Sequence, residues 1–217
     1  MFGSSSDETT QDAAGGTSRV PNHRERAAAR GSDVLVMGAG PAALAAASAC
    51  AERGLRVTTV APAPTERWQR TFAVWACEAA EMGCEDVVEA TWSRPAVWLD
   101  DERPLTLGQG YSRLDVELWQ DKLVASCERN QVALRRGSVV HLEHDTRGSV
   151  AHLASGERIR ATTVVDATGP ASRFVKRGAG NAPAFQVAYG ELCELDRPID
   201  MSLMDFRGED HGGPPSF

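Results

Sequence analysis

Four small groups of residues have types and spacings suited to chemistry. The first is Gly38-Ala39-Gly40-Pro41-Ala42-Ala43, a G-x-G-x-x-A turn. Gly38 permits a tight turn, Gly40 lets backbone approach a pyrophosphate with no Cβ in the way, and Ala43 is small enough for helix and strand to pack closely. A helix opening there presents free N–H groups and a positive dipole end to phosphates. The bland alternative is a purely structural strand–helix–strand unit. An apolar run before the turn, Val34–Met37, and an Ala-rich helix behind it that ends at Arg53-Gly54 favour dinucleotide binding.

The second group is Asp166-Ala167-Thr168-Gly169, which follows the β-branched run Arg160–Val165. In two-domain flavoproteins such a turn brings backbone to the flavin half of FAD; alone it is also an ordinary Asp-Gly-type turn. The third is Arg113, ahead of a helix, whose guanidinium is suited to bridging flavin phosphates or ribityl oxygens. A surface ion pair with Asp115 or Glu117 is the competing reading. The fourth is Asp205 with Arg207, two apart on a strand and so on one face. They either line a substrate tunnel or form a solvated edge pair.

One position departs from the dinucleotide pattern. The second strand, Val57–Val60, should end in Asp or Glu to bind the adenosine ribose, and the chain has Ala61, followed by Pro62-Ala63-Pro64. Either the adenosine is held through backbone or Glu66, or tight binding is lost.

The elements around these groups follow from periodicity. Phe72–Trp75 is a short apolar stretch, Glu78–Val88 a helix with Met82, Val87 and Val88 inward, and Ala96–Leu99 and Pro104–Leu107 are strands. Asp115–Asn130 is the best helix, with Asp115 as N-cap and Leu118, Trp119, Leu123 and Cys127 as its core stripe. Ala133–Glu143 and Ser149–Leu153 alternate as strands about the tip Thr146-Arg147-Gly148, and Phe185–Leu195 and Met201–Arg207 are two more.

Composition removes several classes. The net charge of −7 argues against a nucleic-acid binder. Five scattered cysteines without a C-x-x-C pair read as reduced thiols of an intracellular protein, and a cytoplasmic location is expected. The histidines form no ligand cluster, so no metal site is expected. No apolar run reaches membrane-spanning length. Met1–Gly31 lacks apolar periodicity and reads as a disordered leader. The ending Gly212–Phe217 reads as a loop, so a truncated chain with a missing C-terminal half is expected.

Together these segments resemble the lycopene cyclase family of the plant and cyanobacterial type. The resemblance is carried by VLVMGAGPAALA (Val34–Ala45), AVW before an acidic helix (Ala73–Glu78), TWS (Thr91–Ser93), YSRLD…L (Tyr111–Leu118), VVDATG (Val164–Gly169), FQVAYGELCELD (Phe185–Asp196) and MDFR (Met204–Arg207). The glycine turns are shared by many flavoproteins; the Q-V-A-Y-G and M-D-F-R blocks are more particular.

The resemblance implies an α/β fold: a Rossmann-like FAD/NAD(P)-binding domain, a parallel sheet flanked by helices, with an inserted β-meander. Its parts are a leader at 1–31, the discontinuous cofactor domain at 32–180 and the start of a β-rich substrate region at 181–217. The implied cofactors are FAD, held by residues 38–43, Ala61, Arg113, Asp166 and Gly169, and NAD(P)H as reductant. The implied substrate is lycopene or a related carotenoid, whose ends are cyclised through a carbocation, with Asp205 and Arg207 at the substrate. A lipid-borne substrate implies peripheral membrane contact. Ala61, Ala73 and Cys77 depart from the family's acidic residue, glycine and aspartate, and Ala43 from its third glycine. The glutamate pair credited with the family's acid catalysis falls beyond residue 217, leaving Glu78 the acid nearest a family motif. Another flavoenzyme of the same fold, such as a hydroxylase or an isoprenoid reductase, and an inactive fragment are the alternatives.

Overall fold

The computed structural model describes residues 31–99, 103–170, 172–176, 196 and 200–207. The chain divides at Gly31/Ser32, and all that follows lies within Ser32–Phe217. Residues 1–30 of the expected leader, the expected strand Phe185–Leu195 and the closing loop lie outside the described residues.

The opening unit forms as its residues dictate. Strand β1 (Ser32–Met37) runs into the glycine turn, and helix α1 (Pro41–Glu52) starts with Pro at N1, where its missing N–H costs nothing. Gly54 takes a positive φ of 81° just past the helix end, a conformation without penalty only for glycine. Strand β2 (Val57–Ala61) is buried along its whole length, as an interior parallel strand should be.

Next come β3 (Ala73–Trp75), helix α2 (Ala76–Glu81), β4 (Val88–Trp92), β5 (Ala96–Trp98), the two-residue β6 (Leu105–Thr106) and β7 (Tyr111–Leu114). Helix α3 (Val116–Arg129) follows, then β8 (Ala133–Arg136), β9 (Val139–Asp145), β10 (Gly148–Leu153), β11 (Arg158–Asp166) and β12 (Ser202–Asp205). Asp115 caps α3 as expected, its carboxylate accepting from the Leu118 N–H at 2.9 Å.

The main sheet has the order β8-β2-β1-β11-β10-β9. β8, β2, β1 and β11 are mutually parallel, while β10 adds antiparallel to β11 and β9 antiparallel to β10. Along β1, Val34 and Val36 face α1 and Cys127 of α3, whereas Leu35 and Met37 pack with Val60, Ala151, Leu153, Ile159 and Ala161. β8 and β9 are opposite edges of the sheet, yet only Gly137 and Ser138 separate them. Such a link reaches roughly 10 Å, so the end of β8 and the start of β9 lie close together. A Cβ on Gly137 would stand 2.6 Å from Leu153 Cδ2. Two small three-stranded sheets, β3-β7-β4 and β12-β5-β6, complete the described fold.

Several expected elements are corrected. The helix foreseen at Glu78–Val88 ends at Glu81, because Gly83 turns to φ +60°. A single 3-10 turn over Glu85–Val87 follows, and Val88 begins a strand. Met82, foreseen inward, is 53% exposed, while Val87 is buried. Leu118 is also exposed and leaves the α3 stripe to Trp119, Leu123 and Cys127. Ala133–Glu143 is two strands broken at Gly137, and Tyr111–Leu114, which carries Arg113, is itself a strand.

Candidate functional site

The chain leaves β1 for β2 on one side and returns to β11 on the other. That is the topological switch point at which open α/β sheets bind ligands, outside the carboxyl ends of the strands. Gly38 follows β1 there and Ala167 follows β11. Gly38 donates its N–H to the Val60 carbonyl at 2.9 Å, and the Ala167 N–H bonds the Met37 carbonyl at 2.9 Å. A Cβ on Gly38, whose φ is +123°, would stand 2.3 Å from the Ala167 oxygen. Both glycine-containing turns are thus one piece of backbone.

Gly40 has a different role. It is the N-cap of α1 in extended conformation, and a Cβ built on it meets nothing within 4 Å. The first bond into the helix runs from the Leu44 N–H to the Gly40 carbonyl (3.1 Å), so the α1 N-terminus opens outward beside Gly40. Ala43 is fully buried against β1, which is why position 43 is small.

A cavity of about 810 Å³ lies over this junction. It is lined by Gly38–Ala42, Ala61 and Gly169 of the anticipated set, and by Ala167, Thr168, Trp68, Arg70, Phe72, Val139 and Arg173 among others. The volume falls within the range of about 300–1,000 Å³ typical of cofactor sites. The open face at Gly40, the free helix end and a lining without Asp or Glu among the described residues fit a pyrophosphate-bearing dinucleotide such as FAD.

Sequence reasoning missed the strut behind the turn. Trp68 donates its indole N–H to the Ala39 carbonyl at 2.9 Å. Gln120, buried on α3, accepts from the Trp68 backbone N–H (3.1 Å) and donates to the Glu66 carbonyl (2.7 Å). Trp68, Phe72 and Trp119 pack edge to face, with ring centroids 5.4–5.9 Å apart. The signal available was a Trp in a loop of polar residues and a Gln beside the α3 stripe.

The other anticipated residues fall in distinct places. Asp166 pairs in register with Met37 but does not line the cavity. Its carboxylate is held by the Thr168 N–H (3.1 Å), the Thr168 hydroxyl (2.7 Å) and the Ser172 hydroxyl. Burial alone would raise this carboxyl; the Ser172 and Thr168 donors outweigh it and hold it below the usual range. Ala61 is buried at the end of β2, and its carbonyl accepts from the Gly137 N–H at 2.9 Å.

Arg113 does not reach the cavity. It sits on β7 and donates to Glu89 of β4 at 2.9 Å, so its pair is with neither Asp115 nor Glu117. Its buried Nε has no hydrogen-bond partner among the described residues. Asp205 and Arg207 bond each other, Nε to Oδ1 at 2.9 Å, and the Arg207 guanidinium lies 3.7 Å from the Trp98 ring centroid. They stand at the end of β12, outside the cavity lining. Glu78 accepts from the Trp75 N–H at 3.3 Å at the start of α2, a capping role. His141 and His152 come together across β9 and β10, but the described residues contain no group of three metal ligands.

The profile of the family described as lycopene cyclase protein matches residues 33–217. The chain belongs to the lycopene cyclase family. It is 34% identical over 187 residues to the chloroplastic neoxanthin synthase of Solanum lycopersicum, covering 84% of this chain and 38% of that protein. To the chloroplastic lycopene beta cyclase of Nicotiana tabacum it is 35% identical over 179 residues, or 81% of this chain and 36% of that one. The chain therefore spans little more than a third of the length of these relatives. Among solved structures, a geranylgeranyl bacteriochlorophyll reductase-like protein from Thermoplasma acidophilum superposes with a TM-score of 0.56 at 17% identity, over 64% of this chain and 39% of the other. The myxobacterial FAD-dependent halogenase CndH gives 0.52 at 22% identity, over 65% and 38%. These two likenesses show the fold alone: a Rossmann-type α/β domain.

Within this lycopene cyclase-family chain, the departures noted in the sequence acquire positions. Ala73 pairs with Arg113 across β3 and β7, and Cys77 is an exposed free thiol on α2. Ala43 lies in the core. Of the four, Ala61 alone lines the cavity.

Proposed function

We propose that this chain supplies the FAD-binding part of a lycopene cyclase, which closes the ends of linear lycopene into rings, with a further C-terminal part supplying the catalytic acid. The observation that carries the reading is the junction of Gly38 with Ala167 beneath one cavity at the switch point of the sheet. Family membership and the relatives' names support the substrate.

The chemistry is an isomerisation without net redox change. Protonation of the terminal double bond makes a carbocation, an internal double bond attacks it to close the ring, and a proton is lost. Bound and reduced, with NAD(P)H as the reductant, FAD supplies negative charge that stabilises such a cation in a dry site. The chain's own residues would do the holding. Gly40 and the α1 N-terminus would hold the pyrophosphate, and the Ala167–Gly169 backbone would hold the flavin half. Val139, Phe72 and Phe174 line the cavity with apolar surface.

Lycopene partitions into lipid, which supports peripheral contact with a membrane. No described helix is long and apolar enough to cross one. Cys50, Cys77, Cys84 and Cys127 are free thiols, the state that a reducing cytoplasm maintains.

The test is to join this chain to the C-terminal segment of a lycopene beta cyclase and supply FAD, NADPH and lycopene in liposomes. Ring-bearing product is the expected outcome. Unchanged lycopene with FAD bound and reduced would contradict the substrate assignment.

A further inference from the structure

The end of β2 lacks the carboxylate that ordinarily takes the ribose hydroxyls, and neither substitute open in the sequence is in place. The Ala61 carbonyl already accepts the Gly137 N–H at 2.9 Å. The Glu66 carboxylate is 3.9 Å from the Arg136 guanidinium, is largely exposed and does not line the cavity. The charged residues that line it are Arg70 and Arg173, with no carboxylate among the described lining residues, in a chain of net charge −7. Neither arginine has an ion-pair or hydrogen-bond partner among the described residues. Arg70 follows the loop that Gln120 and Trp68 fix against the glycine turn, and Arg173 follows the Ala167–Pro170 turn, so the two come from opposite sides of the junction.

We propose that this cavity selects its nucleotide by phosphate charge, through Arg70 and Arg173, and not by the ribose hydroxyls, so that its ligand class is adenosine diphosphates irrespective of the 2′-hydroxyl. The inference rests on the reading of the cavity as a dinucleotide site but not on the flavin. A guanidinium presents a fork of donors that matches phosphate oxygens, and such charge-assisted bonds are about twice as strong as neutral ones. A ribose site built on a carboxylate would lose both its partner and its preference when the 2′-hydroxyl is removed. Ala61 offers no group to lose.

The experiment is calorimetric titration of the chain with ADP, 2′-deoxy-ADP, adenosine and FAD, for the parent, Arg70→Ala, Arg173→Ala and the double variant. Both arginines are exposed, so these substitutions should leave the fold intact, which circular dichroism checks. The expected result is that 2′-deoxy-ADP binds within about twofold of ADP. Each single variant should weaken ADP about tenfold, a loss of about 1.4 kcal/mol, and the double variant should also flatten the salt dependence. A tenfold preference for ADP over 2′-deoxy-ADP would overturn the proposal, as would a double variant that binds ADP like the parent. If that double variant and the parent bind FAD equally well, the flavin reading stands and the arginine assignment falls. If ADP binds through the arginines while FAD does not bind, the assignment stands and the flavin reading falls. Failure of the parent to bind ADP or FAD overturns both.

Discussion

Gly38 and Ala167 touch through their backbones, and the contact leaves no room for a Cβ: one on Gly38 would lie 2.3 Å from the Ala167 oxygen. The nucleotide turn after β1 and the turn after β11 are therefore built as one. Gly40, two residues on, has no such neighbour within 4 Å. Gly38→Ala should cost stability directly, roughly 3 kcal/mol from clash and positive-φ strain together. Gly40→Ala should leave the urea midpoint almost unchanged and weaken FAD at least tenfold, because its Cβ enters the ligand's space. Urea denaturation and FAD titration of the two variants separate these roles; equal midpoints would contradict the first.

The Trp68–Gln120 strut gives a second prediction. Trp68→Phe keeps the edge-to-face packing but removes the N–H that the Ala39 carbonyl accepts, a loss of about 1 kcal/mol. Gln120→Leu removes the partner of the Trp68 N–H and of the Glu66 carbonyl at a partly buried place, costing about 1–2 kcal/mol. The two changes act on one loop, so their effects in urea denaturation should be non-additive.

Much of this arrangement could be read from the sequence, because local patterns set it. The strand–glycine turn–helix of Ser32–Glu52, the Asp115 cap and the strand into Asp166 each depend on neighbours within a few residues. What escaped depends on long-range meetings. No spacing announces that Gln120 will hold a loop more than fifty residues earlier, or that Arg113 will find Glu89 across two strands. The break at Gly137 was hidden because it depends on Leu153, a residue distant in sequence, which leaves no room for a Cβ there. Met82 and Leu118 followed the apolar period and were still left outside, since apolar side chains outnumber core places.

Acid should loosen the fold through a defined set of carboxylates. Ser172 and Thr168 donors hold Asp166 below its usual range against the opposing effect of burial, and Arg56, Lys122 and Arg160 do the same for Asp33, Asp86 and Asp145. A carboxyl depressed in the folded state stabilises fully above its unfolded value, near 3.9, and loses that contribution as pH falls through the folded one. Stability should therefore be level near neutrality and fall below about pH 4. Asp166→Asn should be less stable at neutral pH and show a shallower fall in acid, which urea midpoints across that range would detect.

Thiol labelling offers a check on packing. Cys77 is exposed, whereas Cys84 and Cys127 are buried and their thiols are pushed up by burial. An aromatic disulfide reagent at neutral pH should modify Cys77 rapidly and reach Cys84 and Cys127 only when denaturant is added. Peptide mapping that finds Cys127 labelled first would contradict the packing of α3 on α1.

The central claim is that the junction of Gly38 and Ala167 forms the floor of a flavin site. The visible absorption spectrum of the purified chain, with and without added FAD and after removal of free flavin, tests it most directly. The account predicts a retained flavin band with a shifted, structured profile, and its loss in Gly40→Ala. A flat spectrum, with all the FAD recovered free, would contradict it.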